Sequence, residues 1–257
     1  MHKTAPFRLQ AIVDRDFGSK RSDSRAILGL ALQLRSGSKT GNYTMKTKVS
    51  RAGVALGALL ATAGTAMAEG EWSGNVAMTS DYTWRGVSQS NEDPAIQGGF
   101  DYANGSFYAG TWASNVDFGD DSDTNIEADF YGGFAGAFEN GMSWDVGVIY
   151  YAYPDADESD LDFVEIKGAL GYEFASGLAI GGEAYWDPDN QNVYLNATAG
   201  YGLTDALSID ASVGNYSFDG GGDYTNWSLG GTYSTPVGID VDLRYWGTDV
   251  DDVDISD

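Results

Sequence analysis

The feature that most constrains this chain is a two-residue alternation of apolar and polar residues that begins after residue 69. The segments 207–213 (LSIDASV) and 239–245 (IDVDLRY) are examples, and similar runs of about ten residues recur to the end of the chain. A period of two residues is typical of a β-strand with one apolar and one polar face. The sequence therefore predicts an all-β fold for residues 69–257.

The connections between the alternating runs are of two kinds, which follow one another in strict alternation. Tight turns occur at 104–105 and 140–141, whereas longer acidic connections occur at 119–123 and 155–160. Short turns at one end and long loops at the other are characteristic of outer-membrane barrels. A soluble β-sandwich could also alternate, but the order of the loops would then be coincidental. We therefore expect a transmembrane antiparallel up-and-down β-barrel with its apolar face toward lipid.

About eleven such strands can be counted, the first over 72–88 and the last over 238–248. Single-chain bacterial barrels have an even number of strands. We therefore expect about twelve strands in the complete barrel, with the C-terminal closing strand missing from the sequence as written.

Residues 45–68 carry a basic start, an uncharged apolar stretch and the small-x-small motif Ala66-Met67-Ala68. This pattern predicts a secretory signal peptide that is cleaved before Glu69. Residues 1–44 precede it and are interpreted as an upstream extension, disordered and outside the fold; a targeting extension is the alternative. The barrel domain is assigned to residues 69–257.

The charge after residue 68 is strongly negative, with three basic residues and all but three of the 38 acidic residues of the chain. This charge excludes a nucleic-acid binder that works by neutralising phosphates. The chain has no cysteine, and its one histidine is His2. We therefore expect no enzymatic activity, no cofactor and no metal site. The acidic loops do not match the spacing of a calcium-binding loop.

The alternation places each of the three basic residues on an inward face. Segment 81–86 is a candidate lumen-wall or plug contact, with Gly86 as a bulge that aims Arg85. Two readings stay open: a charged constriction that selects solutes, or a lumen filled by ion-paired side chains. The candidate lumen residues are Asp81, Arg85, Asp101, Glu127, Asp129, Asp145, Glu165, Lys167, Glu183, Asp210, Asp242 and Arg244.

Three segments carry a family resemblance: SDYTWRGVSQS at 80–90, DPAIQGGFDY at 93–102 and FYAGTWASNVDF at 107–118. They resemble the proteobacterial TorF family of porins, also described as Gcw_chp proteins of unknown function. The resemblance is sharpest over 74–118 and extends over 69–257. It implies an outer-membrane barrel of a Gram-negative bacterium, with no assigned solute. Members of that family end in a strand with a terminal aromatic residue, which this sequence lacks.

The expected function is therefore an outer-membrane channel for small hydrophilic solutes, with a preference for cations. The alternative is a structural or surface-interaction barrel with a filled lumen and no transport. The expected partners are outer-membrane lipid and lipopolysaccharide, together with a small hydrophilic solute or cation.

Overall fold

A computed structural model describes residues 26–37, 70–119, 123–156 and 161–250. The signal peptide predicted at 45–68 lies outside these residues. No helix in the described part of the chain is long and apolar enough to cross a membrane.

The described residues form one closed antiparallel barrel of twelve strands, together with a separate two-stranded sheet. The strands are β1 (Ala26–Gly37), β2 (Glu71–Thr79), β3 (Thr83–Trp84), β4 (Val87–Ser88), β5 (Ala95–Asn104), β6 (Phe107–Asn115), β7 (Ile126–Ala137), β8 (Ser143–Ala152), β9 (Phe163–Glu173), β10 (Leu178–Trp186), β11 (Val193–Gly202), β12 (Leu207–Ser217), β13 (Asp223–Ser234) and β14 (Ile239–Thr248). Barrel strands pair in chain order, β1 closes the barrel between β14 and β2, and β3 pairs with β4. The predicted all-β, twelve-stranded barrel is confirmed.

The two faces of the barrel are chemically opposite. On the outer face, Leu195, Val213 and Leu243 are about half exposed, whereas their neighbours Tyr194 and Arg244 are buried on the inner face. The alternation in the sequence predicted this arrangement. A wall that is apolar outside and polar inside is the reverse of a soluble protein, and it matches a barrel that contacts lipid.

Strand β1 corrects the interpretation of residues 1–44. The expectation that this segment is disordered and outside the fold is wrong for Ala26–Gly37, which pairs along β14 on one side and β2 on the other. Four leucines at 28, 30, 32 and 34 alternate with smaller or polar residues and are exposed on the outer face. This alternation is the signal that the sequence analysis missed. The place expected for a strand from beyond Asp257 is occupied by β1.

The first predicted strand, over 72–88, is also corrected. Strand β2 ends at Thr79, and the chain then turns into the barrel before it returns to the wall at β5. Arg85 and Gly86 both have positive φ, so the chain reverses between Trp84 and Val87 instead of continuing along the wall. This inward turn contains the candidate functional site.

A charge on the outer face tests whether this face contacts lipid. Val213→Arg, near the middle of β12, should lower the free energy of unfolding in phospholipid bilayers by about 2–4 kcal/mol. The matched control Leu207→Arg, at the first residue of the same strand, should cost about 0–1 kcal/mol because it lies near the interface. Urea titration in bilayers measures both. Equal and small effects would show that the outer face meets water.

Candidate functional site

The candidate site is built around a hairpin inside the barrel lumen, formed by β3, β4 and the turn Arg85–Gly86 between them. In this hairpin Thr83 pairs with Ser88 and Trp84 pairs with Val87. The φ angles of Arg85 and Gly86 are 49° and 84°, as in the type I′ turns that suit two-residue hairpin loops. The hairpin leaves the wall at the end of the barrel that carries the longer connections.

The two ends of the hairpin are held together by Asp81. Its Oδ1 accepts hydrogen bonds from the hydroxyls of Ser88 at 2.6 Å and Ser90 at 3.1 Å. The Gln89 backbone N–H donates to the Tyr82 carbonyl at 2.6 Å. Asp81 is buried. It therefore fixes the base of the hairpin. The alternation had suggested that Asp81 lines the lumen wall, and it does not.

Tyr82 connects the base of the hairpin to β7, three strands along the wall from β2. Its hydroxyl donates to Glu127 Oε1 at 2.8 Å, and Tyr153 donates to Oε2 of the same carboxylate at 2.9 Å. Burial, followed by the charges of Glu127 and Asp129, raises the pKa of Tyr82, a loop residue, well above its ordinary value. The phenol therefore keeps its proton and remains a donor to Glu127.

The tip of the hairpin is held by an ion pair between Arg85 and Glu165 of β9. Arg85 Nη1 and Nη2 donate to the two carboxylate oxygens at 2.8 and 2.7 Å, and Tyr151 donates to Oε2 at 3.1 Å. Both charged side chains are almost fully buried. The guanidinium carbon also lies over four aromatic rings: Trp84 at 4.1 Å, Tyr194 at 4.1 Å, Tyr216 at 4.9 Å and Tyr185 at 5.1 Å.

Gly86 brings the hairpin against the wall of β13 and β14. A Cβ atom at this position would lie 2.6 Å from Cβ of Asn226 and 3.3 Å from Cβ of Thr248. Positive φ and this close approach both require glycine here. The hairpin tip therefore packs directly against β14 and β13, which lie two and three strands from β2 in the barrel.

Trp84 fills the space between the hairpin and the wall. Its ring is in edge-to-face contact with those of Tyr151, Phe163 and Tyr216. It packs against each of the three clusters of buried apolar residues in the described part of the chain. Trp84 is thus the central contact between the hairpin and the barrel interior.

The other two basic residues after residue 69 are also paired. Lys167 Nζ lies 3.0 Å from Asp145 Oδ2, and Tyr108 donates to Asp145 Oδ1 at 2.8 Å. Arg244 contacts two carboxylates, from Asp210 and Asp242; its Nη2 donates to Oδ1 of Asp210 at 2.9 Å.

The remaining candidates are buried or half-buried acids inside the barrel. Asp101 accepts a hydrogen bond from Tyr131, and Glu183 accepts one from Asn196 at 3.1 Å. Asp129 is buried, and its Oδ1 has no hydrogen-bond partner among the described residues. The structure thus places all twelve candidates inside the barrel, and their role in conduction stays a prediction.

Sequence reasoning missed the tyrosines around Arg85 and the serines that bond to Asp81. The ring positions were visible in the alternation, because Tyr185, Tyr194 and Tyr216 lie on inward phases of their strands. What the sequence lacked was a reason to place Arg85 among them, since Arg-Gly is a weaker hairpin signal than Asn-Gly.

A cavity of about 130 Å³ with a mixed polar and aromatic lining lies beside the hairpin. Its lining comes from the wall of β1, β2, β5, β6 and β14, and includes Gln33, Gln97, Trp112 and Arg244, with Tyr82 from the base of the hairpin. The hairpin therefore narrows the lumen and leaves this cavity along one side. In the described part of the chain, no group of three or more carboxylates or histidines is arranged to hold a metal ion.

The chain belongs to the family of bacterial proteins of unknown function described as Gcw_chp, whose model matches residues 63–256. No curated protein matches it. Among solved structures it is similar to OccAB4 of Acinetobacter baumannii, with 9% identity and a TM-score of 0.32 over 69% of this chain and 61% of that one. A porin structure refined at 1.8 Å shows 10% identity and a TM-score of 0.36 over 87% of this chain and 100% of its own. OccK11 of Pseudomonas aeruginosa shows 11% identity and a TM-score of 0.34 over 88% of this chain and 95% of that one.

The chain spans less than two thirds of the length of OccAB4. At these identities and scores, none of the three similarities carries an argument about what this chain does.

The role of Gly86 can be tested by protease access to the hairpin. Gly86→Ala should expel the hairpin tip, because its Cβ would overlap Asn226 and its φ is strained for alanine. Trypsin should then cleave the folded barrel after Arg85, which mass spectrometry of the fragments detects.

The matched control is Gly105→Ala. Gly105 also has positive φ, but nothing lies within 4 Å of its Cβ position. This variant should remain uncleaved after Arg85, like the unchanged protein. Cleavage of all three proteins would show that the hairpin does not hold its place in the lumen.

Proposed function

We propose that this protein is an outer-membrane channel of a Gram-negative bacterium for small hydrophilic solutes, as its resemblance to TorF-family porins implies. The observation that carries the proposal is the inverted wall, apolar outside and charged inside, of a closed barrel. In lipid every backbone N–H and C=O must be satisfied within the protein, and a closed barrel achieves this. Barrel strands of 9 to 12 residues are also long enough to cross a bilayer when tilted.

The hairpin favours a narrow channel and not a wide pore. It projects from a connection into the lumen and leaves a cavity on one side whose lining includes Gln33, Gln97 and Arg244. Barrels of this kind can be plugged by an inserted loop. The hairpin is therefore the element that would limit the size of a permeating solute.

The charges of the lumen support a preference for cations. Nine of the twelve candidate residues are acids, and the three cations are each paired with at least one of them. Asp101 and Glu183 are half-buried acids outside those pairs. Rings of carboxylates favour cations in channels, so the net field of the lumen should do the same.

A second candidate function is a structural or surface-interaction barrel that transports nothing. The buried Arg85–Glu165 pair and the packing of Trp84 favour it, because both fill the lumen. Under this reading the partners are outer-membrane lipid and lipopolysaccharide, which the acidic loops would meet through divalent cations. Conduction separates the two functions.

Ion selectivity in planar bilayers tests the channel. Under a potassium chloride gradient, the reversal potential should have the sign that shows a higher permeability for K⁺ than for Cl⁻. The double variant Asp101→Asn with Glu183→Gln should shift that potential toward zero, because it removes two carboxylates. The matched control is Asp223→Asn, at the start of β13 on an exposed site. The absence of any conductance would favour the structural barrel, and an anion-selective potential would overturn the cation preference.

We also propose that residues 45–68 direct export and are removed before Glu69. Strand β1 precedes this segment, so cleavage there would separate β1 from β2. The gap between β14 and β2 would then need another strand, because an open sheet edge is not tolerated in lipid.

The mass of the N-terminal peptide of the outer-membrane protein tests this proposal. A peptide that begins at Glu69 is expected. A protein that begins before Ala26 would overturn the cleavage and keep β1 in the barrel. The same measurement on an Ala68→Pro variant should show an uncleaved chain if the cleavage site is assigned correctly.

A further inference from the structure

The barrel wall around Arg85 has the chemistry of a binding site in its own right. Glu165 is 1% exposed, and each of its oxygens accepts a hydrogen bond from a different nitrogen of the guanidinium. This parallel pair of bonds matches the planar fork of a guanidinium. An ammonium group is a compact point charge and cannot form both bonds in this geometry.

Three tyrosines complete the surroundings of that guanidinium. Tyr185 of β10, Tyr194 of β11 and Tyr216 of β12 are each buried and present their rings 4.1 to 5.1 Å from the guanidinium carbon. Aromatic rings attract cations placed at such distances. We call Glu165 with these three tyrosines the guanidinium box.

Arg85 and the guanidinium box around it belong to different parts of the molecule. All four box residues are on wall strands, which form the continuous barrel sheet. Arg85 lies in a hairpin that makes only a two-residue pairing of its own, and its backbone has a positive φ that is unfavourable for a residue other than glycine. The strands that carry the box therefore do not depend on the hairpin for their backbone pairing.

We propose that the guanidinium box is a binding site for a solute that carries a guanidinium group, and that Arg85 occupies it in the plugged state. A solute of this class would compete with Arg85 for Glu165 and favour release of the hairpin tip. The transport consequence rests on the proposed channel function, whereas binding to the box does not.

Because Arg85 and a solute compete for the box, removal of Arg85 should raise the affinity of the box for a free guanidinium group. A tethered group acts at a local concentration in the millimolar range, so Arg85 should weaken binding of a free guanidinium. Arg85→Ala should therefore bind ethylguanidinium with an affinity at least about tenfold higher than the unchanged protein.

Isothermal titration of the full chain, folded in detergent, tests the proposal with ethylguanidinium as the probe. Arg85→Ala should bind one equivalent of it, and the double variant Arg85→Ala with Glu165→Gln should not. Ethylammonium and the neutral analogue ethylurea should bind at least about tenfold more weakly, because neither supplies a charged fork. If Arg85→Ala does not fold, Arg85→Gln takes its place, because it keeps a shorter polar side chain without the charge.

Three results would overturn the proposal: no binding of ethylguanidinium to either Arg85 variant, equal binding of ethylammonium, or binding that survives Glu165→Gln. Failure of the channel function is a separate result, since it would appear as absent conductance with binding to the box retained. Conductance without binding would reject the box and leave the channel in place.

Discussion

The need to satisfy every backbone hydrogen bond inside the protein is the constraint on which this structure depends. A sheet with a free edge in lipid would leave a row of N–H and C=O groups without partners. The twelve strands remove that edge by closing on themselves, and β1 is the strand that joins β14 to β2. Once the sheet is closed, each strand has one face toward the outside and one toward the lumen. The two-residue alternation of the sequence then becomes an apolar outer wall around a charged interior.

That interior explains why the hairpin can enter the barrel. A charged residue on an inserted loop would be costly in an apolar core, but the lumen supplies Glu165 for Arg85 and Glu127 for Tyr82. Removing one member of a buried ion pair typically costs about 3–5 kcal/mol, because the other charge is left uncompensated. Glu165 thus compensates the Arg85 charge inside the lumen, while the positive φ of Arg85 adds backbone strain of about 1–3 kcal/mol.

Sequence reasoning predicted the features that depend on local periodicity. The barrel class, the outward faces of strands such as β12 and the inward position of Glu165 all follow from a period of two. It failed where a long-range partner decides the structure. Arg85 lies in phase with Asp81 along the chain, yet its partner is 80 residues away on β9. The leucine alternation of β1 is visible in the sequence. Because it precedes a signal-peptide pattern, it was not expected to belong to the barrel. Neither the pairing of β1 with β14 nor the inward turn after Thr79 has a local signal strong enough to predict it.

We propose that the Arg85–Glu165 pair keeps the hairpin in the lumen and so limits conduction. Single-channel recording of Arg85→Ala beside the unchanged protein tests this claim most directly. Lys167→Ala is the matched control, because it also removes a buried, ion-paired cation but lies on the wall. We predict a larger unitary conductance for Arg85→Ala and an unchanged one for Lys167→Ala. Equal conductance in all three proteins would contradict the role assigned to the hairpin.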